Sequence, residues 1–239
     1  MTTTSQTTVT TPDGPMDLYE ALPDGKPKGA VVVIQEAFGV NDHIKEVTRR
    51  IADAGYRAVA PTIFHRAGGG TADYTDFAKV MPLFKGMSDA GTLMDVDAAV
   101  AHLRRAGFRD AQIGLVGFCF GGRVAFLVAT QRALGAAVGF YGGGIVTARR
   151  GGFATLIGDT AKLATPWLGL FGDKDQSIPV EDVETLRATL AKEAKVANQI
   201  VRYPDAEHGF NCNVRPSYNE AAAKDAWARM LDWFGARLS

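Results

Sequence analysis

Cys119 sits in Gly117-Phe118-Cys119-Phe120-Gly121-Gly122, where one apolar run enters a glycine and two glycines open a second apolar stretch. Gly-x-nucleophile-x-Gly is the pattern of a sharp strand-to-helix turn, here with a thiol in the nucleophile's place. Sterics explain the glycines: such a turn strains the backbone, and side chains two positions to either side would collide with it. The turn lifts the sulfur above a sheet and aims the first helical amides at a reacting carbonyl. A cysteine among apolar residues is also a common inert core residue, so the pattern needs partners.

A thiol nucleophile needs a base, and the base needs an orienting acid. Of the four histidines, His208 lies in Pro204-Asp205-Ala206-Glu207-His208-Gly209-Phe210, directly after the last expected strand. His102 falls on a helix beside an apolar stripe and reads as structural; His43 at a helix start and His65 in an irregular loop read as solvated. For the acid, Asp173 and Asp175 follow another buried run. Asp173 suits a turn-shaping role, whereas Asp175, one step farther out, is better placed to reach a neighbouring loop.

These loops hang on an alternating series of elements. Met16 to Ala21 predicts an early strand, after a Thr-rich start (residues 1–14) expected to be a flexible segment. Ala30-Val31-Val32-Val33-Ile34 reads as a strand buried on both faces. A helix follows from Asn41-Asp42 with Ile44, Val47 and Ile51 on one side, and Tyr56 to Pro61 is the next strand. Strand, helix and strand in that order predict parallel pairing with a right-handed crossover. The segment from Thr62 to Ala90 is less regular, with Gly68-Gly69-Gly70 and a short helix within Tyr74 to Phe84. Leu93, Val96, Val100 and Leu103 restore a helical stripe. Further strands are expected at 136–140, 166–171 and 199–203, a helix near 180–192, and a closing helix around Trp227 to Phe234. The alternation never breaks, so residues 1–239 are read as one doubly wound, mostly parallel α/β domain with helices on both faces of the sheet.

The chain has 239 residues, with 26 basic and 26 acidic side chains. Balanced charge argues against a nucleic-acid partner. No apolar run is long enough to predict a membrane span, and the N-terminus lacks the order of a secretion signal. Two cysteines, Cys119 and Cys212, build neither a disulfide framework nor a cysteine-rich metal site. The expectation is a cytoplasmic protein, a monomer or small homo-oligomer.

Cys119, Asp175 and His208 each fall just beyond the carboxyl end of an expected strand, where open α/β sheets carry their sites. Nucleophile, acid, histidine is also the chain order of the α/β-hydrolases. In that fold the loop after the Val-Val-Val-Ile strand, Gln35-Glu36-Ala37-Phe38-Gly39, supplies the second oxyanion donor, so the amides of Ala37 and Phe120 are the expected pair. Glu36 is either a solvated loop acid or a carboxylate held against the thiol.

Together, Gln35-Glu36-x-x-Gly39-x-Asn41, Gly117-Phe118-Cys119-Phe120-Gly121-Gly122, Asp175 before Pro179, and His208-Gly209-Phe210 resemble the dienelactone hydrolase family over residues 15–235. The resemblance implies an α/β-hydrolase fold and a Cys-His-Asp triad that hydrolyses lactones or esters without a metal or organic cofactor. It also implies that Glu36 contacts the resting thiol and helps to deprotonate it. Family members that open dienelactone bind its carboxylate with arginines, and here the sequence departs. The position four after His208 is Cys212, the next cation is Arg215, and the segment before the nucleophile offers Lys79, Lys85 and the earlier Arg66. Lysine does not replace a bidentate arginine. Phe38, Arg66 and Arg215 are therefore the candidate substrate contacts. The expected activity is hydrolysis of a lactone or small carboxylic ester through a thioester on Cys119. The alternatives are an esterase or thioesterase with another substrate, a non-catalytic binding protein, or a redox sensor using Cys212.

Overall fold

Ala30–Ile34 (β3) and Ile113–Phe118 (β5) contain no polar side chain, and every residue of both is buried. That pattern requires cover on both faces of the sheet, which only helical crossovers supply to parallel strands. The computed structural model describes residues 2–148 and 152–238. In chain order its strands are β1 (Thr3–Thr11), β2 (Gly14–Leu22), β3, β4 (Arg57–Pro61), β5, β6 (Ala136–Phe140), β7 (Trp167–Gly172) and β8 (Asn198–Tyr203). They form one sheet in the order β1-β2-β4-β3-β5-β6-β7-β8. The β1–β2 and β2–β4 pairs are antiparallel and all later pairs are parallel.

The helices are α1 (Asp42–Asp53), α2 (Phe77–Leu83), α3 (Asp89–Arg105), α4 (Phe120–Gln131), α5 (Val180–Glu193) and α6 (Glu220–Gly235). The Asn41 side chain caps α1 by accepting from the Ile44 amide, Ser88 does the same for α3 at Gly91, and Asn219 for α6 at Ala222. None of these helices is long and apolar enough to cross a membrane.

The sheet reverses its order between β3 and β5, with β4 to one side and β6 to the other, and a crevice opens at such a switch point. Register then decides what meets there. Ile34 pairs with Gly117, so the Gln35–Glu36 and Phe118–Cys119 segments leave the sheet at nearly the same level. Gly172 pairs with Tyr203, so the loops carrying Asp175 and His208 also depart side by side.

Three expectations need correction. The Thr-rich start is ordered as β1, pairing with β2 from Thr3 opposite Leu22 to Thr11 opposite Gly14, and it buries Val9 and Thr11. Its ladder hydrogen bonds make up for side chains that are mostly exposed. His65 is not solvated: it meets buried Asp95 at 3.0 Å. Arg66 is not a substrate contact. It holds Asp95 through two nitrogens at 2.6 and 3.0 Å, Asp13 at 2.7 Å and the Gly91 carbonyl at 3.2 Å, tying the β1–β2 turn to α3. His102 is structural as expected, 3.1 Å from Glu20.

Phe118, fully buried, stacks on Phe140 with ring centroids 4.7 Å apart, one residue before the elbow. Replacing it with alanine is expected to cost about 3–5 kcal/mol of unfolding free energy, the range for a buried aromatic that leaves a cavity, read by urea denaturation.

Candidate active site

Cys119 is the residue at which β5 becomes α4. Its backbone has φ 55° and ψ −115°, a positive φ that non-glycine residues rarely adopt. The chain has room for it only because of two neighbours. A Cβ on Gly117 would lie 1.8 Å from the Gly121 carbonyl oxygen, and one on Gly121 would lie 2.4 Å from the Ile34 carbonyl oxygen. The Cys119 amide donates to Phe140 O at 3.0 Å, while its carbonyl accepts from the Gly122 amide at 3.0 Å and starts the helix. The sulfur therefore stands partly exposed at the amino end of α4.

His208 comes toward this sulfur from the loop after β8, and both residues line the same cavity. On its other side, His208 Nδ1 meets Asp175 Oδ2 at 2.6 Å. Asp175 is buried, and its second oxygen accepts from the Ser177 amide at 2.8 Å and from the Ser177 hydroxyl. Burial acts to raise the Asp175 pKa, but His208 and the Ser177 donors outweigh it and hold the carboxyl below its usual range. For His208, burial opposes the charge, yet the sulfur and Asp175 prevail and push its pKa up to about 10. Both neighbours thus favour the charged form of the ring. The competing acid, Asp173, is a different device: it takes Arg202 through both oxygens at 2.7 and 2.8 Å and closes the turn after β7.

Ala37, Phe120, Cys119 and His208 line one cavity of about 360 Å³, together with Met81, Phe84, Lys85, Arg123 and Phe153. Phe38, Arg66 and Arg215 are absent from its walls, which corrects the expectation for all three. Phe38 is buried in a satellite cluster with Ala72 and Val80, its ring 4.6 Å from that of Tyr74.

Glu36 is fully buried and is not a solvated loop acid. The Tyr74 hydroxyl donates to its Oε2 at 2.7 Å, and Arg215 Nη1 lies 3.6 Å from its Oε1. The Arg215 guanidinium also sits 5.3 Å from the Tyr74 ring and 5.9 Å from Phe38, so it serves Glu36 and two aromatic faces rather than the cavity. His43, expected to be solvated, is buried beside the same carboxylate. Burial lowers its pKa despite the attraction of Glu36. Cys212 completes this group, its pKa raised first by burial and then by Glu36. Among the described residues, Glu36, His43 and Cys212 are the group with metal-binding atoms within 4.8 Å of one another. The Arg215 charge beside Glu36 and a thiol held protonated disfavour a cation there.

Sequence reasoning missed Tyr74 and Tyr141. Tyr141 adopts φ 38°, is fully buried, and sets its ring 5.1 Å from His208 in an edge-to-face contact. Its signal was faint: an aromatic just past a buried strand, before the Gly142-Gly143-Gly144 run.

The profile described as "Dienelactone hydrolase family" matches residues 16–238. The chain belongs to that family. A Yersinia pestis protein provisionally named a carboxymethylenebutenolidase is 39% identical over 239 residues, covering 96% of this chain and 86% of its own. A Pseudomonas putida protein named carboxymethylenebutenolidase is 29% identical over 215 residues, covering 88% of this chain and 87% of its own. Among solved structures, a dienelactone hydrolase, provisionally so named, from Klebsiella pneumoniae superposes with a TM-score of 0.90 at 36% identity, covering 98% of this chain and 99% of that one. The eight-stranded sheet is thus an α/β-hydrolase fold.

Asp175 is one of the two groups that raise the His208 pKa. In Asp175→Asn the His208 ring is expected to titrate at clearly lower pH than about 10, followed by NMR of the imidazole carbons. An unmoved titration would show that the carboxylate does not govern the ring.

Proposed function

We propose that this family member hydrolyses an ester or lactone through a thioester on Cys119. The observation that carries the reading is the convergence of Cys119, on a strained turn, and the hydrogen-bonded His208–Asp175 pair at one cavity. Cys119 attacks the carbonyl carbon as a thiolate. The negative charge that develops on the carbonyl oxygen is received by the amides of Ala37 and Phe120, with the amino end of α4 behind them. Each such donor is worth on the order of a hundredfold in turnover. His208 bears the proton that the departing alkoxide must receive; it then draws a proton from water as that water attacks the thioester. Asp175 holds Nδ1, fixing the tautomer and the tilt of the ring.

Glu36 is proposed to assist the thiol from its buried position, with Tyr74 and Arg215 as positioning residues. The names of the relatives support an ester or lactone as the substrate class. Two free cysteines suit a reducing, cytoplasmic setting.

The test is steady-state hydrolysis of a lactone and an aryl ester by the wild type and by Cys119→Ala. Loss of the nucleophile is expected to lower kcat by about three to four orders of magnitude, with the unfolding transition little changed. Comparable turnover in the variant would refute a covalent route through this sulfur.

A further inference from the structure

Among the described residues, one arginine lines the cavity beside Cys119, and that arginine is already paired. Arg123, on the first turn of α4, is almost wholly buried. Its two terminal nitrogens take the Asp89 carboxylate at 2.6 and 2.9 Å, and one of them also donates to the Ala154 carbonyl at 2.6 Å. Its charge is neutralised, and its fork joins three pieces of chain: the nucleophile helix, the start of α3 and the segment after Phe153. The guanidinium lies 5.1 Å from the Phe153 ring centroid and fixes that ring against the cavity.

What it fixes is an aromatic wall. Phe120 and Phe153 lie 5.4 Å apart, Phe84 and Phe120 meet edge to face at 5.0 Å, and Phe84 is 6.4 Å from Phe153. Three rings from α4, the α2–α3 connection and the loop before Leu156 hold one another at the spacings aromatic groups prefer. Met81 extends the apolar surface toward the opening.

Among the described residues, the arginines expected to hold a carboxylate are engaged elsewhere. Arg66 is bound to Asp95 and Asp13, and Arg215 to Glu36. Lys85 remains, exposed at the rim, where its stem can cover apolar surface while its ammonium stays in water. A flexible, solvated ammonium of this kind attracts an anion weakly and without geometry.

We propose that the cavity selects neutral esters or lactones that carry an aromatic ring beside the scissile bond, over substrates held by a carboxylate. This rests on the hydrolytic reading of Cys119 and names the substrate class of that same site. A flat apolar ring stacks on the Phe84–Phe120–Phe153 wall and leaves no buried charge without a partner. A carboxylate in the same place would lose its hydration and, among the described residues outside the catalytic group, meet only the solvated Lys85 ammonium.

The test compares kcat/KM for phenyl acetate, 4-carboxyphenyl acetate and ethyl acetate, each divided by its rate with hydroxide to remove intrinsic reactivity. In the wild type, phenyl acetate is expected to exceed its carboxylated analogue about tenfold. In Phe153→Ala and in the milder Phe153→Leu, the ratio of phenyl acetate to ethyl acetate is expected to fall about tenfold and a few-fold respectively. Using ratios removes the effect of any misfolded fraction. Lys85→Met is expected to leave the carboxylated-to-neutral ratio within about twofold. The proposal is overturned if the wild type prefers the carboxylated ester, whatever Lys85→Met does to that preference, or if neither Phe153 variant changes the phenyl-to-ethyl ratio. Failure of the folded wild type to hydrolyse any of the three, or a lactone, would instead count against the hydrolytic reading, and this proposal would fall with it.

Discussion

The backbone of Cys119 is the constraint on which the site depends. A residue with φ 55° is held there against its own preference, by the sheet behind it and the helix in front of it. The Cys119 amide is tied to β6 through Phe140, and its carbonyl is tied into α4, so neither end can relax without breaking a hydrogen bond. Gly117 and Gly121 let three chain segments pass within a distance that no Cβ would permit. The sulfur therefore projects at a fixed height over the carboxyl ends of the strands, and the loops from β7 and β8 only need to meet it there.

Charge around that point is arranged in two separate sets. Asp175 and His208 form one, open to the cavity on the sulfur side. Glu36, His43 and Cys212, all buried, form the other, with the partly buried Tyr74 and Arg215 around the Glu36 carboxylate. Tyr141 lies between them, edge to face with His208 and close enough for Glu36 to help push its phenol pKa well above the ordinary value, after burial itself.

The chain itself disclosed some of this and hid the rest. Cys119, Asp175 and His208 were legible because their surroundings are local: a glycine pattern, a buried strand just before, a loop just after. The central strands were legible for the same reason, since β3 and β5 are uninterrupted apolar runs. The edge strand β1 was not, because threonine gives no hydrophobic alternation and only Val9 and Thr11 are buried. His65 and Arg66 read as free groups because their partner, Asp95, lies 30 and 29 residues away. His43 read as solvated because the fold brings Cys212, from a distant loop, onto it beside Glu36. Ion pairs and buried clusters of this kind are properties of the folded chain, and no spacing within a single segment encodes them.

The central claim is that the acyl group passes through the Cys119 sulfur. It is tested most directly by rapid acid quench of the enzyme with excess aryl ester, followed by peptide mass spectrometry. The account predicts an acyl mass on the peptide containing Cys119, removable by neutral hydroxylamine and absent from the peptide containing Cys212. Product formation within the same milliseconds with no acylated peptide, or with the acyl group on another residue, would contradict it.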